Sequence, residues 1–231
     1  MISHEHKCVF VHIPKCAGTS IEHVLGHFDD FEGRQGQDHR SVRMMDPKPP
    51  YSKILFDPDN AKDFIRGVRH GFRQHKNPKN ALTLTSKQYN DYFFFTFVRN
   101  PWERCFSWYK NVIRDEIHQK NYRVPATISF DDFMKEYAGT GYLRPQTYWL
   151  KNYNGNLNDI DYVGKFESLT EDFVVIAQKL GIKSTALPHK IKGSTSKTIE
   201  MSASVTRFIS QYYEEEIELF GYKNSPYMKS L

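Results

Sequence analysis

The sequence contains no apolar run approaching the ~20 residues needed to cross a bilayer, and its first residues show no signal-peptide pattern. The expectation is a chain with no membrane span, placed in the cytoplasm. Cysteine is scarce: Cys8, Cys16 and Cys105 cannot all pair internally, and none stands at metal-ligand spacing. A reducing compartment is therefore the simpler reading. A Walker A loop is also missing, since no Gly-x4-Gly-Lys-Ser/Thr occurs. No recognised nucleic-acid-binding motif accompanies the basic residues, so no nucleic-acid partner is expected.

What is present describes a folded chain. At 231 residues, a single domain over 1–231 is the default, and 39% hydrophobic with 15% aromatic residues suffices for a substantial core. The net charge of +5 and the pI near 8.9 suit an anionic ligand.

The chain is organised around the stretch Val9 to Glu22, Val-Phe-Val-His-Ile-Pro-Lys-Cys-Ala-Gly-Thr-Ser-Ile-Glu. Its start has the composition of a buried strand, which Pro14 ends because proline cannot donate to a ladder. A short turn with Gly18 follows, and Thr19 or Ser20 suits the N-cap of a helix, with Glu22 in a capping-box position. Strand, tight turn and helix start gather backbone N–H groups beside Lys15 and two hydroxyls, which makes a cradle for phosphate or sulfate.

A second signal is Tyr92 to Tyr109, Tyr-Phe-Phe-Phe-Thr-Phe-Val-Arg-Asn-Pro-Trp-Glu-Arg-Cys-Phe-Ser-Trp-Tyr. Its aromatic and β-branched half predicts a strand buried on both faces. Asn100 then caps a helix whose first residue is Pro101. Arg99 stands at the carboxyl end of the strand, where open α/β sheets bind ligands, and Ser107 lies about two turns into the helix. A guanidinium fork and a hydroxyl suit a phosphate group.

With both loops read, the chain resembles the sulfotransferases that use 3′-phosphoadenosine 5′-phosphosulfate (PAPS), specifically the carbohydrate-modifying, Golgi-type superfamily in a compact soluble form. The Pro14-Lys15-x-x-x-Thr19-Ser20 loop is similar to that family's 5′-phosphosulfate loop, and Arg99 with Ser107 to its 3′-phosphate signature. The resemblance extends to Ser129–Phe133, Arg144–Gln146, Asp161–Leu169, a helix from Asp172 to Leu180 ended by Gly181, Leu187-Pro188-His189, and a closing helix reaching Phe220–Tyr222. It implies a three-layer P-loop-like α/β fold, a central parallel sheet flanked by helices. It also implies sulfuryl transfer from PAPS to a hydroxyl or amine of a glycan or other small-molecule acceptor, with no metal required.

The resemblance assigns roles by position. Lys15 would neutralise the sulfuryl and bridging oxygens, and Cys16, Ala17, Gly18, Thr19 and Ser20 would hold the 5′-phosphate. Arg99 and Ser107 would hold the 3′-phosphate. His39, in Gln37-Asp38-His39-Arg40-Ser41, reads by itself as a solvated loop residue, yet it stands where the family carries its candidate base. Here Lys190-Ile191-Lys192-Gly193-Ser194 stands where the family often has Asn-x-Ser, and Lys192, Gly193 and Ser194 are retained as phosphate contacts.

The prolines and many cations of residues 44–85 predict a solvated surface excursion, with one helix around Asn60–Val68. The family's segment is normally shorter here, so the resemblance implies an insertion near the acceptor site. Two other classes stay open at this stage. A P-loop kinase using ATP and Mg²⁺ would need a Walker A loop and an acidic residue at the second strand end, where Arg99 stands. A non-catalytic binder of phosphorylated or sulfated ligands would keep the cradles without a working base.

Overall fold

Runs of buried aliphatic and aromatic residues build the central sheet of the computed structural model, which describes residues 1–183, 187 and 201–223. Strands β1 (Ile2–Ser3), β2 (Cys8–Val11), β3 (Phe93–Val98) and β4 (Tyr162–Lys165) lie in that order. The sheet runs parallel from β2 to β4, with Val9 opposite Phe94 and Phe95 opposite Tyr162. The expectation of an all-parallel sheet is corrected at one edge, where β1 pairs antiparallel to β2. The connection between them is too short for the crossover that a parallel pair requires.

The helices are, in chain order, α1 (Gly18–Val24), α2 (Val42–Met45), α3 (Tyr51–Phe56), α4 (Pro58–Phe72), α5 (Ser86–Asp91) and α6 (Pro101–Arg114). There follow α7 (Glu116–Tyr122), α8 (Phe130–Tyr137), α9 (Thr147–Leu150), α10 (Leu169–Leu180), α11 (Ala203–Tyr212) and α12 (Glu214–Leu219). None of the described helices is long and apolar enough to cross a membrane. The described residues divide into two compact units, one drawn from Met1–Val98 and Thr147–Lys190, the other from Arg99–Gln146 and Ile191–Leu231.

The first unit holds the sheet. All of β2 and nearly all of β3 is buried, so apolar residues occupy successive positions and no in–out alternation is seen. Thr96 is the polar exception, and its hydroxyl donates to the Val11 carbonyl at 2.8 Å. Asp161 fixes the approach of β4: its carboxylate accepts from the Phe94 N–H at 2.7 Å and its own N–H donates to the Phe94 carbonyl at 2.8 Å. Gly164 lies opposite Phe97, and a Cβ there would come within 2.6 Å of that ring.

Residues 44–85 are more ordered than a solvated excursion. Two of its prolines start helices: Pro58 and Pro78 occupy first turns, where a missing N–H costs nothing. Asp57 caps α4 through the N–H groups of Asp59 and Asn60. Buried polar bonds tie the segment to its unit. Asp63 accepts from Ser41 at 3.0 Å and Arg43 at 2.9 Å, and Asn60 donates to the Tyr153 carbonyl at 3.0 Å.

In the second unit the elements described are helical. Asn100 caps α6 as its sequence requires, accepting from the Glu103 N–H at 3.3 Å. Trp102 donates to the Thr206 carbonyl at 3.0 Å, linking α6 to α11. Arg104, among the largest fully buried side chains, donates to the carbonyls of Tyr142 and Arg144, both at 2.8 Å.

Candidate functional site

The turn after β2 carries Lys15 on a backbone that chain chemistry disfavours. Lys15 and Ala17 both adopt left-handed conformations, with φ of 70° and 62°. Each such non-glycine residue costs about 1–3 kcal/mol, an expense the surrounding structure sustains mainly at functional positions. Left-handed residues alternating with others along a short turn are the backbone pattern from which anion nests are built. Lys15, Ala17, Thr19 and Ser20 are half-buried, while Cys16 and Gly18 are buried.

The helix start differs from the sequence expectation. Ala17 is the N-cap of α1, no side chain caps it, and the Ser20 N–H bonds to the Ala17 carbonyl at 3.1 Å. The capping box assigned to Glu22 is therefore corrected. Its side chain is wholly buried, and one carboxylate oxygen takes two donors, His12 Nδ1 at 3.0 Å and the Asp38 N–H at 3.1 Å. Burial pushes Glu22 up to about 7. The first helix ends at Val24, and turns follow it.

Gly18 owes its identity to His12. A Cβ at this position would overlap the His12 ring, so the imidazole lies flat against the backbone of the helix start. The His12 carbonyl accepts from His39 Nδ1 at 3.1 Å, and the two rings lie 4.1 Å apart. The segment Asp38–His39 is thus stapled to His12 twice, through Glu22 to its side chain and directly to its backbone. Burial works to raise the Asp38 carboxyl, but Arg40 at 2.6 Å and the Met1 amino group at 3.4 Å overcome it and hold it well below the usual carboxylate range.

This ring of contacts fixes the state of His39. A carbonyl only accepts, so Nδ1 carries the proton and Nε2 the lone pair. Burial, then the adjacent His12, depress His39 to about 3, so the imidazole is neutral at physiological pH. His12 is likewise depressed to about 3, mainly by burial. His70 and His75 form a separate pair in this unit, with rings 4.0 Å apart and a 2.9 Å bond from His75 Nε2 to the His70 carbonyl.

In the second unit Arg99 is held by its own backbone. The Gln146 amide brackets it, accepting from the Arg99 N–H and donating to the Arg99 carbonyl, both at 2.8 Å. Gln146 is in turn held by Glu216, which accepts from the Gln146 backbone N–H and, at 3.0 Å, from its side chain. Glu216 lies 3.9 Å from Arg104 with both side chains fully buried. The Arg99 guanidinium meets Glu103 at 3.4 Å, and Ser107 lies four residues beyond Glu103 on the same face of α6. The half-buried Ser107 hydroxyl is therefore one turn from the carboxylate that steadies Arg99.

The structure accordingly gathers Lys15–Ser20 and His39 in one unit and Arg99 with Ser107 in the other, whereas Lys192, Gly193 and Ser194 lie outside the described residues. Sequence reasoning gave no buried-network role to His12, Arg104, Gln146 or Glu216, and it gave Glu22 a cap in place of one. A signal existed for two of them: His12 interrupts an apolar strand end, and Arg104 stands among Trp102, Cys105 and Trp108. A polar residue inside an apolar run is the mark of a buried hydrogen-bond network.

The model of a family described as the sulfotransferase family matches residues 1–223. An uncharacterized protein of Archaeoglobus fulgidus is 30% identical over 100 residues, which cover 42% of this chain and 73% of that protein. No solved structure gives a significant match.

Proposed function

The chain belongs to the sulfotransferase family, and from that premise we propose that it moves the sulfuryl group of PAPS to a hydroxyl or amine of a glycan or other small molecule. The scaffold is read as a single P-loop-like three-layer domain. Residues of the right chemistry are present for a donor carrying two phosphate groups. Lys15, the amides of Cys16–Thr19 and the Ser20 hydroxyl suit the phosphosulfate, and Arg99 with Ser107 suits the 3′-phosphate. Lys192, Gly193 and Ser194 are kept as further phosphate contacts on sequence alone.

The observation that carries the reading is the bond from His39 Nδ1 to the His12 carbonyl, which assigns the ring's lone pair to Nε2 and ties the ring to the segment that leads into the Lys15 turn. In the proposed reaction the acceptor oxygen forms its bond to sulfur as the bond from sulfur to the 5′-phosphate oxygen breaks. The acceptor proton passes to His39 Nε2, and adenosine 3′,5′-bisphosphate leaves. Lys15 stabilises the charge that collects on the leaving oxygen, a contribution made by a preorganised cation at no reorganisation cost.

The test is transfer of labelled sulfuryl from PAPS to a panel of glycan and phenolic acceptors, comparing parent and His39→Ala. The variant is expected to bind the donor within a few fold and to lose ~10²–10⁴ in turnover, the scale of a positioned base. Protonation removes the Nε2 lone pair, and the folded protein takes that proton only below the ordinary histidine value of 6.5, towards about 3. The parent rate should therefore stay flat above pH 6.5 and fall only at more acidic values, with no such limb in the variant. Full turnover in His39→Ala would remove the base assignment, and no transfer to any acceptor by the parent would remove the reading itself.

A further inference from the structure

Helix α4 is built inside out. Its inward face is polar, with Asn60 and Asp63 buried in the hydrogen bonds described above and Gly67 set against the backbone of Met44. Three of its apolar side chains point to solvent. Ile65, Val68 and Phe72 follow the three- and four-residue spacing of one helix stripe and are all exposed, Phe72 at 89%. Beside it runs a second exposed stripe, Lys62, Arg66, Arg69 and Arg73, at the same spacing. The neighbouring helix α3 adds Tyr51, Leu55 and Phe56, the last 88% exposed. Six of the eleven exposed large hydrophobic residues described therefore fall on these two consecutive helices. A surface helix ordinarily turns its apolar stripe to the core, so this arrangement calls for an occupant.

Charge identifies that occupant. Between Lys48 and Lys76 stand seven lysines and arginines against three aspartates, a surplus of four in a chain whose net charge is +5. One of those aspartates, Asp63, is buried against Arg43 and Arg66, so it does not offset the exposed face. A second copy of the chain fits poorly, because a two-fold contact through this face would set the basic stripe against itself. Apolar and basic stripes running side by side along about 22 Å of helix match an interface with acyl chains below and anionic head groups beside them.

We infer that α3 and α4 rest on an anionic lipid surface, with Phe56, Ile65, Val68 and Phe72 entering the interface and Lys62, Arg69 and Arg73 lying among the head groups. The chain would lie on the bilayer without crossing it. Removing a cation from such a face weakens binding roughly fivefold, and losing a phenylalanine removes a larger apolar area.

The full chain should be sedimented with phosphatidylcholine vesicles, with and without phosphatidylserine, across a salt series. The expected result is binding that needs phosphatidylserine and weakens with salt. It should fall at least tenfold in Arg69→Glu/Arg73→Glu and in Phe56→Ser/Phe72→Ser, with thermal midpoints near that of the parent. In Phe72→Trp, brominated acyl chains should quench the new indole beyond any effect on Trp102, Trp108 and Trp149 in the parent. Absence of binding to the anionic vesicles, or equal binding by parent and both double variants, overturns the inference. Self-association in the ultracentrifuge abolished by Phe56→Ser/Phe72→Ser, without vesicle binding, would assign the face to a second copy. Capture of polyglutamate without vesicle binding would assign it to an acidic protein.

Discussion

The two units each place one cation, and they do so by opposite means. Lys15 rides on a turn whose backbone is strained and which follows His12, a neutral imidazole bonded to the buried Glu22 and, through its carbonyl, to the neutral His39. Arg99 sits on relaxed backbone, clamped by Gln146, behind which lies a fully buried pair of opposite charges, Arg104 and Glu216. In the first case precision comes from backbone shape and in the second from a charged network. The difference teaches where each is vulnerable. A strained turn loses function when its side chain changes and stability when its packing changes. A buried ionic network loses stability as soon as either partner goes.

The largest expected effect breaks the second arrangement. Glu216→Ala leaves the Arg104 guanidinium buried without its counter-charge, a situation that costs about 3–5 kcal/mol. Urea unfolding should show that loss, and Glu216→Gln, which retains a hydrogen-bonding carbonyl for Gln146, should lose less. A change below about 1 kcal/mol in Glu216→Ala would mean that the bracket stands without the ion pair.

Lys15 supplies the contrasting case. Its substitution by alanine should leave unfolding nearly unchanged while lowering sulfuryl transfer by roughly 10²–10³, the scale for removing one preorganised donor. Near-parent turnover would show that the turn had been misassigned, and a large loss of stability would erase the contrast between the units.

The next effect sharpens the comparison within the first unit. Gly18→Ala drives a methyl group into the His12 ring and should destabilise by about 1–3 kcal/mol, the ordinary range for overpacking. In His12→Ala/Gly18→Ala the methyl finds the space the ring occupied, so the two changes together should cost less than their sum. Strict additivity in a double-mutant cycle would show that ring and glycine are not coupled.

The smallest effect concerns selectivity. Adenosine 3′,5′-bisphosphate should bind at least tenfold more tightly than ADP without added Mg²⁺, a difference of about 1.4 kcal/mol, and Arg99→Ala should remove most of it. Calorimetry that returns equal affinities for the parent would instead favour a kinase-like donor.

What the sequence by itself determined was local. The apolar runs that became β2 and β3, the Asn100–Pro101 start of α6, and the cations Lys15 and Arg99 at strand ends were legible because strand burial, capping and turn chemistry act over a few neighbouring residues. The antiparallel edge, the length of α1 and the order within residues 44–85 were not, because pairing partners and buried polar contacts decide them from far along the chain. Glu22 shows the reason most clearly. Its position suggested a cap, yet its side chain bonds to His12 and Asp38, ten and sixteen residues away, because a buried carboxylate is satisfied by whatever donors the fold delivers. Gln146 and Glu216 repeat the lesson at greater range: seventy residues apart, they meet only when tertiary structure closes the bracket around Arg99.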